Sequence, residues 1–182
     1  MSGEIKFLKK EKNREHTRAL INLTNGKITY ISTRMLGKIT ISEKQKFIKN
    51  KKLGPDALKI KQKQFETQIK KNNSFIKTFL MNQRKISGIG NIYTDEILFQ
   101  SKIHPKKQIK KLENKEIKKL YKKIKEVLKQ AIKNNAKPEK MPKNYLIKKR
   151  EKNKKCPKCK SKIKTIKINS RTAYYCPKCQ NE

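Results

Sequence analysis

Residues 76–96 read IKTFLMNQRKISGIGNIYTDE, and this segment gives the strongest indication of the architecture. Apolar residues at helical spacing flank Gly88-Ile89-Gly90-Asn91, which predicts two short helices joined by a glycine turn. Glycine has no Cβ, so backbone N–H groups can approach an anion closely, and the N-terminus of the next helix adds partial positive charge. No acidic residue occurs from Thr67 to Thr94. In this setting Gly88 and Gly90 predict a phosphate site, whereas the same glycines elsewhere would indicate a plain helix–helix turn.

Helical patterns continue on both sides of this segment. Leu58, Phe65 and Ile69 share one face of a candidate helix, and Ser74 and Asn91 are candidate caps for the two helices that follow. The clearest pattern is predicted to form a helix from residue 112 to residue 134, because its apolar residues follow i, i+3, i+4, i+7 spacing. These residues are Ile117, Leu120, Tyr121, Ile124, Leu128 and Ala131.

The first 52 residues predict β-strands. His16 to Leu23 and Lys27 to Ser32 flank Asn25-Gly26, a dipeptide that favours the positive φ angles of a type I′ hairpin turn. Gly37 to Ile41 alternates again and predicts a third strand. Three strands are about the minimum for a stable sheet, so this sheet is expected to be part of a larger one.

Four cysteines predict a metal site near the C-terminus. They form two Cys-Pro-Lys-Cys turns separated by sixteen residues, and such turns aim two thiolates at one point. Between them, Ile163 to Ile168 and Thr172 to Tyr175 alternate as strands around a tip at Asn169-Ser170-Arg171. Disulfides are the alternative, but they fit poorly with a reducing cytoplasm. We expect one structural zinc ion with no open coordination position, bound by Cys156, Cys159, Cys176 and Cys179.

The composition favours a nucleic-acid partner. The chain has 51 Lys and Arg against 14 Asp and Glu, a formal net charge of +37. It shows no apolar run of the ~20 residues that a membrane helix needs and no secretory signal, so we expect a cytoplasmic protein without membrane contact. Only six of the basic residues are Arg, and an AT-rich genome would by itself enrich Lys. The position of a basic residue therefore carries more weight than the total charge.

These segments resemble the formamidopyrimidine-DNA glycosylase family, a group of bacterial base-excision repair enzymes. Residues 76–105 look like its helix–two-turn–helix, and LGPDAL at 53–58 resembles the segment that opens its helical domain. SRTAYYC at 170–176 resembles the tip and return strand of its zinc finger. Met1-Ser2-Gly3 fits the second half of its N-terminal β-sandwich.

The resemblance implies an α+β fold in four parts. Residues 1–52 would be the remnant of the β-sandwich and 53–136 the helix–two-turn–helix domain. Residues 137–155 would be a basic linker, and 156–182 the zinc-ribbon β-hairpin.

The family is bifunctional, acting as DNA glycosylase and abasic-site (AP) lyase. An N-terminal proline attacks the sugar of a flipped, oxidised purine to form a Schiff base, and a Glu and a Lys assist. None of these groups can be placed in this sequence, since Met1 falls after all three in the family pattern. The resemblance thus implies an N-terminally truncated chain with no catalytic residue of its own. If the start codon is misplaced, the gene product is a glycosylase and lyase; if the chain is complete, it binds DNA without that activity.

The resemblance also implies residues that contact duplex DNA carrying a damaged base or an abasic site. Met1 corresponds to the residue that fills the space left by the damaged base, Arg34 to the arginine that contacts the partner base, and Leu36 to an apolar wedge that is usually Phe. Three others match groups that grip the phosphates: Lys77, Asn91 and Arg171. We expect a monomer to bind the duplex.

Two alternatives remain at this stage. A basic zinc-ribbon protein that binds RNA or ribosomes would explain the charge and the cysteines, although not the Gly88–Tyr93 segment. A decaying gene whose product folds poorly would explain an incomplete sandwich.

Overall fold

A computed structural model describes residues 3–9, 15–33, 35, 37 and 39–180. The chain divides into two compact units between Lys44 and Gln45, and each unit is described by itself. Together they confirm the predicted α+β class. In the described residues, no helix has both the length and the apolar character needed to cross a bilayer.

The first unit is a three-stranded antiparallel sheet. Its strands are β1 (Gly3–Leu8), β2 (Thr17–Leu23) and β3 (Gly26–Ser32), and β3 lies between the other two. Cross-strand partners share a face. Ile5 pairs with Tyr30 and therefore lies on the same face; the Ile5 side chain is 72% exposed.

The β2–β3 hairpin forms as predicted, but its turn differs from the predicted type I′ turn. Leu23 pairs with Gly26, so Thr24 and Asn25 make the connection, and neither has a positive φ angle. The close approach of β1, rather than the turn, requires a glycine at position 26. A Cβ at this position would lie 2.6 Å from the carbonyl oxygen of Leu8. The glycine therefore serves a non-local approach of two strands.

The third strand of the sheet is β1, and not the segment from Gly37 to Ile41 that the alternation predicts. Residues 37 and 39–41 form no strand, although their sequence alternates. Both edges of β3 are already paired, with β1 on one side and β2 on the other. Helix α1 (Lys44–Asn50) follows, within a segment predicted to be extended.

The second unit is built around four helices: α2 (Gln62–Lys70), α3 (Ile76–Met81), α4 (Asn91–Ser101) and α5 (Asn114–Lys133). The periodicity located all four, and α5 lies within two residues of its predicted bounds. Its buried stripe contains five of the six predicted residues. The sixth, Tyr121, is half-buried and donates its hydroxyl proton to the carbonyl of Ile60 at 3.0 Å.

The predicted helix caps are wrong by one residue. Phe75 precedes α3 and Gly90 precedes α4, and neither helix has a side-chain cap. Asn91 is the first residue inside α4, which leaves its side chain available for other contacts.

Helix α4 lies at the centre of the unit. Every residue from Thr94 to Phe99 is buried, including two consecutive carboxylates, Asp95 and Glu96. A helix buried on all sides is usually apolar throughout. The acidic pair therefore needs hydrogen-bond donors from the elements that surround α4.

The C-terminal hairpin consists of β4 (Lys164–Ile168) and β5 (Arg171–Tyr175). Asn169 and Ser170 connect them with φ angles of 46° and 61°, so the two-residue type I′ turn occurs here. Arg171, predicted within the tip, is the first residue of β5 and pairs with Ile168.

The segment between α5 and the finger packs against the unit. Its only regular structure is two 3-10 helices, at Pro138–Lys140 and Leu146–Lys149. Met141 and Leu146 are buried. This segment, predicted as a basic linker, is therefore ordered by apolar and hydrogen-bond contacts.

Candidate nucleic-acid interface and metal centre

The turn before α4 is held open by one side-chain amide. Gln83 Oε1 accepts the Gly88 N–H at 3.0 Å, and Gln83 Nε2 donates to the carbonyl of Ile89 at 2.8 Å. Gly88 has a φ angle of +93°, which favours glycine, and both Gly88 and Gly90 are exposed. Apart from the glycine itself and its near neighbours along the chain, no atom lies within 4 Å of a Cβ built on either glycine. The backbone of the turn is therefore accessible to a ligand.

The N-terminus of α4 also favours an anion at this turn. The first N–H groups of a helix have no acceptor inside it, and here no side chain caps them and no acidic residue lies in the first turn. Such an end attracts anions. The phosphate site predicted at Gly88 and Gly90 is geometrically open, and it stays a prediction.

Strand β5 of the finger lies beside this turn. The carbonyl oxygen of Thr172 accepts hydrogen bonds from Lys77 Nζ at 3.2 Å and from Asn91 Nδ2 at 3.3 Å. Asn169 Nδ2 donates to Thr78 Oγ1 at 3.1 Å. Arg171, which precedes Thr172, is exposed. The structure thus brings together three of the predicted phosphate-binding residues, which lie on α3, α4 and β5.

Lys77 differs from the other two in its accessibility. Its side chain is 1% exposed, and Nζ lies 2.5 Å from Asp95 Oδ1. Burial lowers the pKa of Lys77 and raises the pKa of Asp95, and the contact between the two charges opposes both shifts. In this structure Lys77 lies beneath β5, bonded to Asp95 and to the Thr172 carbonyl, and its predicted phosphate contact stays a prediction.

A second cation completes the coordination of Asp95. Arg150 Nε donates to Asp95 Oδ2 at 2.9 Å, and Arg150 Nη2 lies 2.8 Å from the same oxygen. The backbone N–H of Tyr174 donates to that oxygen at 3.3 Å, and the Arg150 guanidinium lies over the Tyr174 ring at 4.4 Å. Sequence reasoning missed both roles, although Asp95 stands in the segment that carried the resemblance.

The neighbouring carboxylate fixes the segment that carries Arg150. Glu96 Oε2 accepts a hydrogen bond from the Ile147 N–H at 2.7 Å, and Glu96 Oε1 accepts one from Gln100 Nε2 at 2.7 Å. Burial raises the pKa of Glu96, and these hydrogen bonds oppose the rise. The two carboxylates of α4 therefore hold the finger and the segment before it.

The four cysteines converge as the spacing predicts. Their Sγ atoms all lie within 4.8 Å of one another, and the Cys156–Cys179 and Cys159–Cys176 pairs are 3.9 and 3.4 Å apart. Tetrahedral coordination with zinc–sulfur bonds of about 2.3 Å places sulfurs about 3.8 Å apart. The donor set and its dimensions therefore fit one structural zinc ion.

Polar neighbours favour the thiolate form of Cys159, whereas burial raises the pKa of Cys156 and of Cys179. Ser161 Oγ lies 3.0 Å from Cys159 Sγ and 3.1 Å from Cys176 Sγ, and the Lys158 N–H donates to Cys156 Sγ at 3.4 Å. Burial alone would raise the pKa of Cys159, but hydrogen bonds from Ser161 lower it to about 6. A thiol that is already ionised releases no proton when it binds a metal ion. Fewer protons are therefore released here than at a thiol with the ordinary pKa.

The finger is docked on α4 by an apolar contact and a glutamine. Phe99 and Leu146 pack with Ile163 and two of the zinc ligands. Gln180 Oε1 accepts the Cys176 N–H at 2.9 Å, and Gln180 Nε2 donates to the carbonyl of Ile103 at 2.9 Å. Gln180 directly follows the last cysteine, and no pattern in the sequence predicts its role.

Three predicted DNA contacts cannot be located. Met1, Arg34 and Leu36 lie outside the described residues. Their roles stay predictions from the resemblance.

The fold and the metal centre define a zinc-finger protein of the helix–two-turn–helix class. The family profile described as the formamidopyrimidine-DNA glycosylase H2TH domain matches residues 53–142, and the zinc finger found in FPG and IleRS matches residues 153–181. The formamidopyrimidine-DNA glycosylase of Ureaplasma parvum is 36% identical over 200 residues, which cover 100% of this chain and 72% of the relative. The corresponding enzyme of Prochlorococcus marinus is also 36% identical, with 99% and 70% covered. The chain belongs to the formamidopyrimidine-DNA glycosylase family, which confirms the resemblance.

Solved structures give the same result for the fold. A complex of Lactococcus lactis Fpg with DNA containing an abasic site matches with a TM-score of 0.84 at 27% identity, covering all of this chain and 73% of that one. A complex of MutM with DNA containing carbocyclic 8-oxo-G matches with a TM-score of 0.86 at 29% identity, covering 100% and 72%.

We expect Cys159→Ala to lose bound zinc and the order of the finger, because metal binding supplies the folding free energy of so small a unit. Lys178→Ala, an exposed change in the other knuckle, should retain a full equivalent of zinc. Zinc content and far-UV circular dichroism before and after chelation measure both effects. The helical signal should persist throughout. A Cys159→Ala protein that keeps stoichiometric zinc would contradict the assignment.

Proposed function

We propose that this chain binds duplex DNA at a damaged base or an abasic site through the glycine turn and the zinc finger. The main support is the shared hydrogen-bond acceptor of Lys77 and Asn91, the carbonyl of Thr172, because it sets the hairpin that carries Arg171 beside the N-terminus of α4. Both elements offer positive charge or N–H groups to a sugar–phosphate backbone. The two similar solved complexes contain DNA with an abasic site and with carbocyclic 8-oxo-G.

Each contact has a physical role in this proposal. The open backbone at Gly88 and Gly90 and the uncapped N–H groups of α4 bind one phosphate, and Asn91 assists them. Arg171 binds a neighbouring phosphate by charge-assisted hydrogen bonds. Met1, Arg34 and Leu36 would act at the lesion, as the resemblance implies. The chain would work as a monomer in the bacterial cytoplasm, associated with the nucleoid when bound.

Catalysis is a separate part of the proposal. The residues that the family uses for chemistry have no counterpart in these 182 residues by the resemblance, and the alignments cover 70 to 72% of the two enzymes. We infer that a polypeptide of this sequence holds the lesion without forming a Schiff base.

Binding should prefer a duplex with an abasic site over undamaged duplex and over structured RNA of equal length. If about 6–10 phosphates are contacted, the affinity should fall ~10³–10⁵-fold between 50 and 200 mM salt. Competition titrations followed by fluorescence anisotropy at several salt concentrations measure both quantities. Equal or stronger competition by RNA would favour the RNA-binding alternative.

Arg171→Ala should weaken binding by about 10–100-fold, the range expected for a charged hydrogen bond, and equally on duplexes of different sequence. The slope of log affinity against log salt should become smaller by ~0.9, the value for one phosphate contact. Lys164→Ala removes the same charge at the other end of the hairpin and controls for net charge. A loss confined to particular sequences would show that Arg171 reads bases rather than phosphates.

Borohydride reduction on an abasic-site duplex should give no covalent adduct with the 182-residue polypeptide, since Schiff-base formation requires the nucleophile of the family. Lactococcus lactis Fpg serves as the positive control. Gel electrophoresis under denaturing conditions detects the adduct. A trapped complex would contradict the inference that these residues lack lyase activity.

A further inference from the structure

The buried carboxylate of Asp95 joins three separate segments. Its side chain is 1% exposed, and donors from α3, from the segment before the finger and from β5 fill both oxygens. Lys77 binds Oδ1, whereas Arg150 and the backbone of Tyr174 bind Oδ2.

The strand edge explains why this matters for the finger. Residues 172 and 174 of β5 pair with residues 167 and 165 of β4, and an edge strand leaves backbone groups unpaired on its outer side. Here the Thr172 carbonyl receives Lys77 and Asn91, and the Tyr174 N–H binds Asp95. Side chains of α3 and α4 thus form hydrogen bonds with the outer edge of β5.

The buried charged groups restrict how the finger can lie on α4. Lys77 and Asp95 are each 1% exposed, so removing either partner would leave the other charge buried and unsatisfied, which is costly. Arg150 is further constrained because it stacks on Tyr174 and because Glu96 holds the adjacent backbone at Ile147. Rotation of the finger relative to α4 would break several of these contacts at once.

We propose that Asp95 is a positioning residue, which sets the spacing between Arg171 and the phosphate site at Gly88–Asn91 by fixing β5 against α3 and α4. This inference rests on the proposed DNA binding. It assigns to Asp95 and Arg150 a part in recognition, although neither touches the DNA. Without the carboxylate, the finger would keep its zinc but would hold Arg171 in several orientations.

The test uses Asp95→Asn, which keeps the size of the side chain and removes its charge. Loss of an acidic residue raises the net charge and by itself would strengthen DNA binding. We expect the opposite: affinity for the abasic-site duplex about 10-fold weaker or more, and a salt slope lower by ~0.9, as for Arg171→Ala. Glu126→Gln is the matched control, because it changes the charge equally on α5, where Glu126 is half-exposed and paired with Lys123, and it should bind at least as tightly as the parent chain.

The double variant identifies the mechanism. If Asp95 acts through Arg171, Asp95→Asn combined with Arg171→Ala should lower the salt slope no further than either change alone. An additive loss, or an Asp95→Asn protein that binds as tightly as Glu126→Gln, would overturn the inference. If Arg171→Ala itself leaves the slope unchanged, the proposed DNA contact fails first, and the two failures are thereby distinguished.

Zinc content separates positioning from unfolding. Should Asp95→Asn lose zinc, Arg150→Met is compared with Lys148→Met, an exposed neighbour that carries the same charge. A larger loss of affinity and of salt slope for Arg150→Met, at full zinc content, supports the inference. Equal losses for the two variants overturn it.

Discussion

Two consecutive buried carboxylates in helix α4 constrain the arrangement of the segments that pack around this helix. Asp95 and Glu96 are almost fully buried, and an ionised side chain in that position costs several kcal/mol unless it is paired and hydrogen-bonded. Helix α4 has no donors of its own for Asp95. They come from α3, from Arg150 and from β5, so these hydrogen bonds favour one arrangement of the three segments on α4. Breaking a buried pair of this kind typically costs about 3–5 kcal/mol, which is a large part of the stability of a small domain.

The metal and the carboxylates do different work in the finger. Four thiolates give the finger its internal shape, and the sulfur distances match one tetrahedral ion. They do not determine where the finger lies. That is set by Asp95, by the Gln180 contact with the carbonyl of Ile103, and by the packing of His104 against Tyr175 at 4.6 Å. We therefore expect that the finger can keep its zinc while its position on α4 changes. Zinc content and DNA binding can then be measured as separate effects.

Local patterns predicted the local structure well, and failures occur where a distant partner decides. Cysteine spacing gave the metal site, and periodicity gave α5, because both depend on residues close in sequence. Asn25-Gly26 was predicted as a type I′ turn, yet Gly26 is there for the approach of β1. Residues 37–41 alternate but have no free edge of β3 to join. The resemblance assigns Lys77 to a phosphate, which stays a prediction, and only the tertiary structure shows that its buried partner is Asp95, eighteen positions along the chain.

A buried lysine can still contribute to phosphate binding at a distance. Lys77 and Arg150 face a single carboxylate, so the cluster carries one excess positive charge beneath β5 when all three groups are ionised, and burial and the Arg171 charge both lower the pKa of Lys77. Charges on the surface of this chain are numerous, but salt screens them over about 10 Å at 0.1 M. An excess charge in the interior is screened less and stays at a fixed position. In the proposed complex, surface lysines would therefore supply the general attraction to a polyanion, whereas the cluster around Asp95 would set the position at which the finger meets a phosphate.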